Sequence, residues 1–127
     1  LNENQVSDII HFLRSFQRTP NRKVDHNWTS SGDRKNGEEL YVGVCAQCHG
    51  DNGKGYILGG SGTGIGLNGF LDKANDGYIK AVILSGREGT PMRAFGDSLG
   101  LAQLSDQGIN DIIVYLRYLG KKNANEL

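Results

Sequence analysis

The only two cysteines of this 127-residue chain stand in one short run, Cys45-Ala46-Gln47-Cys48-His49. No other feature constrains the fold so tightly. On a helix, residues three positions apart share a face, so both sulfurs point the same way and an imidazole follows on the next residue. Thiols so placed, with a histidine directly behind them, form the attachment signature of a c-type haem. Each sulfur can form a thioether with one of the two vinyl groups along one porphyrin edge, and the imidazole then comes under the iron. A fold built on this run must wrap backbone and apolar side chains around a flat cofactor.

Other readings of the run meet obstacles in the same sequence. A structural zinc takes four ligands, as a rule from two Cys or His pairs. There is no second cysteine pair, and His11 and His26 lie upstream without pair spacing. A thioredoxin-type Cys-x-x-Cys follows a strand and opens a helix, whereas this pair closes a helix-like stretch from Asp33 to Cys45. A disulfide between Cys45 and Cys48 would constrain almost nothing.

Further runs flank the motif. Gly37-Glu38-Glu39-Leu40-Tyr41 leads in and Gly50-Asp51-Asn52-Gly53-Lys54-Gly55 leads out. Downstream come Gly89-Thr90-Pro91-Met92-Arg93-Ala94-Phe95-Gly96 and an apolar-striped helix, Ser105 to Leu119. In this order and spacing the chain resembles a class I cytochrome c over residues 33 to 121. The resemblance implies an all-α class I cytochrome c fold, with three main helices and loops wrapped around one covalent haem c. It implies attachment through Cys45 and Cys48, and His49 and Met92 as iron ligands. A thioether is soft and neutral, which suits the sixth position of an iron that must change oxidation state; a core methionine is the alternative. The resemblance also implies that the first and last helices touch at Gly37 and that Tyr41 packs against Tyr115. A backbone carbonyl should orient the His49 imidazole. Relatives take that carbonyl from a Gly-Pro pair; this chain has Gly64-Ile65-Gly66-Leu67, which directs the expectation to Ile65. Many relatives also have proline after the methionine, where this chain has Arg93 and carries Pro91 before it.

The implied activity is one-electron transfer between redox protein partners, not enzymatic turnover, in the periplasm or another extracytoplasmic space. The alternative is the cytochrome domain of a larger redox enzyme, relaying electrons from a catalytic domain. A haem sensor or peroxidase-like protein would need an open iron site, against which Met92 argues. Composition agrees. Fourteen basic and fourteen acidic side chains balance, which gives no argument for nucleic acid or an anionic membrane. A hydrophobic share of 37% is low for a packed domain, and an apolar cofactor in the core offsets it. Most of the 19 glycines fall between Gly50 and Gly100, so that stretch is expected to be loop-rich. No run is long and apolar enough to span a bilayer. With no signal peptide and Leu1 in first place, the sequence reads as a processed, trimmed or truncated product.

Along the chain, residues 1–18 are expected to form an amphipathic helix with Val6, Ile9, Ile10 and Leu13 on one face. Asn2 and Gln5 can form its capping box. Leu1 to Arg14 repeats Leu104 to Arg117, with identity at the leucines, the aspartate, both isoleucines and the arginine. The first copy thus reads as the last helix of a preceding cytochrome module, and its apolar face as a surface that packs on the haem domain or pairs two copies in a homodimer. Residues 19–32 read as a linker, with Trp28 docking on a surface and His26 a remote candidate for iron. Residues 33–127 form the cytochrome domain. Within it, Leu67, Phe70 and Leu71 are expected in the haem pocket, a helix from Asn75 to Leu84 at its wall and Phe95 beside Met92; Arg87, at the turn after that helix, reads as an exposed arginine, with contact to a propionate as the alternative. Gly120 is expected to end the last helix.

Overall fold

Residues 1–96 and 102–126 are described in a computed structural model of the chain, and every regular element among them is helical. The stretch from Gly89 to Gly100 is therefore described only as far as Gly96. Among the described residues, no helix is long and apolar enough to cross a membrane.

Helix α1, Glu3–Arg14, begins with the expected box: the Asn2 side chain accepts from the Gln5 N–H, and the Gln5 side chain accepts from the Asn2 N–H, each at 2.9 Å. Helix α2, Arg34–Leu40, starts where Asp33 accepts the Asn36 N–H at 2.9 Å. It continues through one wide π turn, Tyr41–Cys45, into α3, Ala46–His49. Such wide turns insert a residue into a helix and are frequent at functional sites; this one ends on the first cysteine. A 3₁₀ turn, Gly55–Leu58, and a short α4, Asn68–Leu71, follow. Helix α5, Asp76–Ser85, is capped by Asn75, which accepts the Tyr78 N–H at 2.8 Å.

Helix α6, Asp106–Asn125, is capped by Ser105 and is longer than expected. Gly120 does not end it. The residue is buried, and a Cβ there would strike the Leu71 side chain. Its role is close packing with α4, and the helix gains another turn beyond it.

The domain is organised by the crossing of α2 and α6. A Cβ on Gly37 would collide with the Asp111 carbonyl, so only glycine lets the two backbones approach this closely. Beside the crossing, the Asp111 carboxylate accepts from the Asp33 N–H at 2.8 Å, Asn36 Nδ2 at 2.7 Å and Gln107 Nε2 at 2.8 Å. Tyr41 and Tyr115 pack with ring centroids 5.4 Å apart, and the buried Tyr41 hydroxyl donates to the Gly50 carbonyl at 2.8 Å. Ile109, Ile112, Ile113 and Leu116 complete the core, each side chain worth roughly 1.5–3 kcal/mol on burial.

The segment read as a linker is structured from Arg22 onward. Arg22 Nη2 donates to the Gly86 carbonyl at 2.6 Å, and Asn75 Nδ2 donates to His26 Nδ1 at 2.8 Å. The Lys80 ammonium sits 4.4 Å over the Trp28 ring. Ser30 donates its N–H and its hydroxyl to Asp76, each at 2.8 Å, and Arg117 pairs with the other Asp76 oxygen. Residues 22–30 thus form a strap along α5, because their polar groups find matching partners there. By contrast α1 buries no residue. Ile9 and Ile10 are each 45% exposed, whereas their counterparts Ile112 and Ile113 are fully buried. The expectation that the face of α1 packs on the haem domain is not met among the described residues.

Candidate functional site

A cavity of about 460 Å³ opens between the end of the α2–α3 helix, the loop after it, α5 and α6. This size lies within the usual range for cofactor sites. Cys45, Cys48 and His49 line it, as does Met92 from the loop beyond α5. Its remaining walls are mainly apolar, with Ile65 from the first loop, Phe70 from α4, Ile79, Val82 and Ile83 from α5, and Phe95, Ile112 and Leu116. Arg87, Arg93 and Tyr56 also border the cavity and have exposed side chains. The four residues with iron- or porphyrin-binding chemistry, apart in sequence, thus share one cavity.

The imidazole of His49 is oriented by backbone. Its Nδ1 lies 2.7 Å from the Thr63 carbonyl oxygen. A carbonyl can only accept, so Nδ1 carries the proton and Nε2 keeps its lone pair for a metal. The acceptor is Thr63 and not Ile65. The turn at Gly64 brings the chain past the ring one step earlier, and Ile65 contributes its side chain to the cavity wall instead. Gly62 leaves room for the ring: a Cβ there would sit 2.8 Å from Nδ1. The Gly62 N–H also donates to the Cys48 carbonyl at 2.7 Å, which joins the loop to the motif. Burial, and then the neighbouring Cys48 thiol, push the Cys45 thiol up to about 12. Its surroundings therefore favour the neutral thiol over the thiolate.

Met92 is presented by a loop suspended from the end of α5. Helix C-termini leave carbonyls without helical partners. Here the Phe95 N–H donates to the Ile83 carbonyl at 2.9 Å and the Gly96 N–H to the Leu84 carbonyl at 3.3 Å. The Arg87 N–H donates to the Met92 carbonyl at 2.9 Å, and the Thr90 hydroxyl donates to the Arg87 carbonyl at 2.7 Å. Gly86 makes the reversal at φ +66°, where the Met92 carbonyl lies too close to admit a side chain.

Two expected lining residues lie elsewhere. Leu67 is half-buried over Gly64, and Leu71 is buried against Gly120 of α6; α4 turns both away from the cavity. His26 is held at the cap of α5, and His11 bonds within α1 to the Ser7 carbonyl. Neither lines the cavity. Sequence reasoning missed Thr63, whose contribution is a carbonyl that any residue type could supply; its only signal is the flanking pair Gly62 and Gly64. It also missed Asn123, a buried side chain beyond the glycine expected to end the helix.

Among the described residues, no three His, Cys, Asp or Glu side chains converge to hold a metal by themselves. An iron held here would need its further ligands from a macrocycle. The donor set fits one: two sulfurs on one helical face, an imidazole with Nε2 free, a thioether and apolar walls. Residues 32–116 match the family model described as cytochrome C oxidase, cbb3-type, subunit III. No curated protein and no solved structure matches the chain.

Proposed function

The chain belongs to this family of cytochrome c domains, whose members carry electrons through haem, and we propose that it is a one-electron carrier with a single haem c held by Cys45 and Cys48 and ligated by His49 and Met92. A bound haem supplies one reversible electron per cycle between ferric and ferrous iron. The chain does the rest. Thr63 fixes the tautomer and direction of His49, and the end of α5 holds Met92 in place. The apolar walls exclude water, which limits reorganisation when charge changes. The single observation that carries this reading is that Cys45, Cys48, His49 and Met92 line one cavity. With His49 and Met92 both available to ligate the iron, no substrate would need to reach it, and redox proteins are the partners. Haem attachment of this kind supports an extracytoplasmic setting, such as the periplasm.

A second reading has support of its own: the domain is a carrier module within a larger oxidoreductase. In α6, Asp111, Ile112, Ile113 and Leu116 are buried and Arg117 is anchored, whereas the matching residues of α1 have no such setting. This is what the last helix of a neighbouring cytochrome module would show. A homodimer through α1 would cover the same face.

Mass spectrometry tests the cofactor assignment. The intact protein should weigh one haem more than its sequence, and acid-acetone should leave the colour on the polypeptide. Extractable haem, or none, overturns the proposal.

A further inference from the structure

The loop that carries Thr63 is closed at its base by a side chain from the far end of the domain. Asn123, on the turn of α6 beyond Gly120, is 5% exposed. Its Nδ2 donates one hydrogen to the Asn52 carbonyl at 2.8 Å and the other to the Gly66 carbonyl at 2.9 Å. The Gly66 N–H donates to the Gly53 carbonyl at 2.8 Å beside it. Leu119, one turn earlier on α6, presses on the same two strands of the loop, because a Cβ on Gly53 or on Gly66 would lie about 3 Å from its methyl group. The closed segment contains Thr63.

The geometry points to Asn123 as a positioning residue for the proximal ligand. This inference rests on the proposed haem ligation by His49. By pinning both ends of the loop, Asn123 holds the Thr63 carbonyl against His49 Nδ1–H. A strong bond at Nδ1 raises the basicity of the imidazole toward a metal, and a more basic ligand favours the ferric state. Both bonds come from one buried amide, so loss of that group leaves two buried carbonyls without a donor. The loop then relaxes until water reaches them, and the Thr63 contact lengthens. Asn123 touches neither the cavity nor any of its ligands, so its influence passes through the loop alone.

The test compares the unaltered holoprotein with Asn123→Leu, Asn123→Ser and Gln107→Ala. Gln107→Ala removes a hydrogen bond to Asp111 at the α2–α6 crossing and serves as a stability control remote from the loop. Redox titration should show Asn123→Leu shifted toward ferrous by up to tenfold in the equilibrium constant, a rise of up to about 59 mV. Asn123→Ser, which keeps one donor, should shift less, and Gln107→Ala not at all. In proton NMR the His49 Nδ1–H should exchange with solvent faster in both Asn123 variants. Unchanged potentials and exchange with haem retained would overturn the inference while leaving the haem assignment standing. An unaltered protein without covalent haem would overturn that assignment instead. If neither Asn123 variant retains haem, hydrogen exchange of the unaltered protein decides: the His49 ring proton and the Gly66 amide should open together. Independent opening refutes the coupling.

Discussion

Met92 hangs from a loop whose backbone is bonded to the last carbonyls of α5, so changing its side chain should change the proposed ligand without displacing the loop. Met92→His should keep a six-coordinate iron and lower the potential by more than about 59 mV, a tenfold change in the redox equilibrium, because nitrogen donation favours the ferric state. Met92→Ala should abolish the weak far-red ferric absorption of sulfur ligation and admit carbon monoxide. Optical spectra and potentiometry check both, and an alanine variant with unaltered spectrum and potential would assign the sixth ligand elsewhere. The cavity residues legible in the sequence are those whose proposed chemistry resides in side-chain type and spacing: Cys45, Cys48, His49 and Met92. Thr63 was not legible, because a carbonyl carries no residue signature and Ile65 stood in the place that resemblance favoured. Leu67 and Leu71 were misplaced because four residues of helix, Asn68–Leu71, re-aim the apolar side chains of a glycine-rich loop.

Among the elements, α1 and the strap share the N-terminal segment but not its energetics. The strap ties Arg22 to Gly86, Trp28 to Lys80 and Ser30 to Asp76, while the apolar residues of α1 remain largely exposed. Deleting residues 1–18 should therefore leave the haem spectrum and the unfolding midpoint unchanged, and should convert any α1-mediated dimer to monomer. Deleting residues 1–30 should cost about 2–3 kcal/mol, since Asp76 loses both donors from Ser30, and hydrogen bonds to charged groups are of that order. Calorimetry and sedimentation distinguish the two cuts; equal stability loss from both would mean that α1 also packs on the domain. Helix starts are legible from residue type, since Asn2, Asp33, Asn75 and Ser105, all side chains that favour N-caps, cap the four longer helices. The Thr19-Pro20-Asn21 break and the Ser30-Ser31-Gly32 run mark residues 19–32 as a linker, and only the fold shows that the polar groups of residues 22–30 meet partners on α5. The end of α6 was misjudged because a glycine that permits close packing and a glycine that stops a helix look alike in one dimension.

Over the whole molecule, two carboxylates tie distant segments together and set its response to acid. Burial alone would raise Asp111, but the donors from Asn36, Gln107 and the Asp33 N–H outweigh it and hold the carboxyl below its ordinary range. Asp76 is likewise raised by burial and lowered further by Ser30 and Arg117. Groups depressed in the folded state contribute their full stability above the unfolded value, about 3.9 for aspartate, and lose it as pH falls through the folded value. The unfolding midpoint should accordingly be flat from neutrality to about pH 5 and fall steeply below about pH 4. Asp111→Asn should be less stable at neutral pH and show a shallower acid limb; thermal melts across pH check this, and an unchanged limb would remove Asp111 from the account. The crossing that Asp111 guards also fixes an order in time. It joins Gly37, near the start of the domain, to Asp111, near its end. A chain emerging from its N-terminus makes Cys45 and Cys48 long before α6 exists. Until that helix is made, the cavity they line lacks the wall that Ile112 and Leu116 supply, so the cavity is completed last.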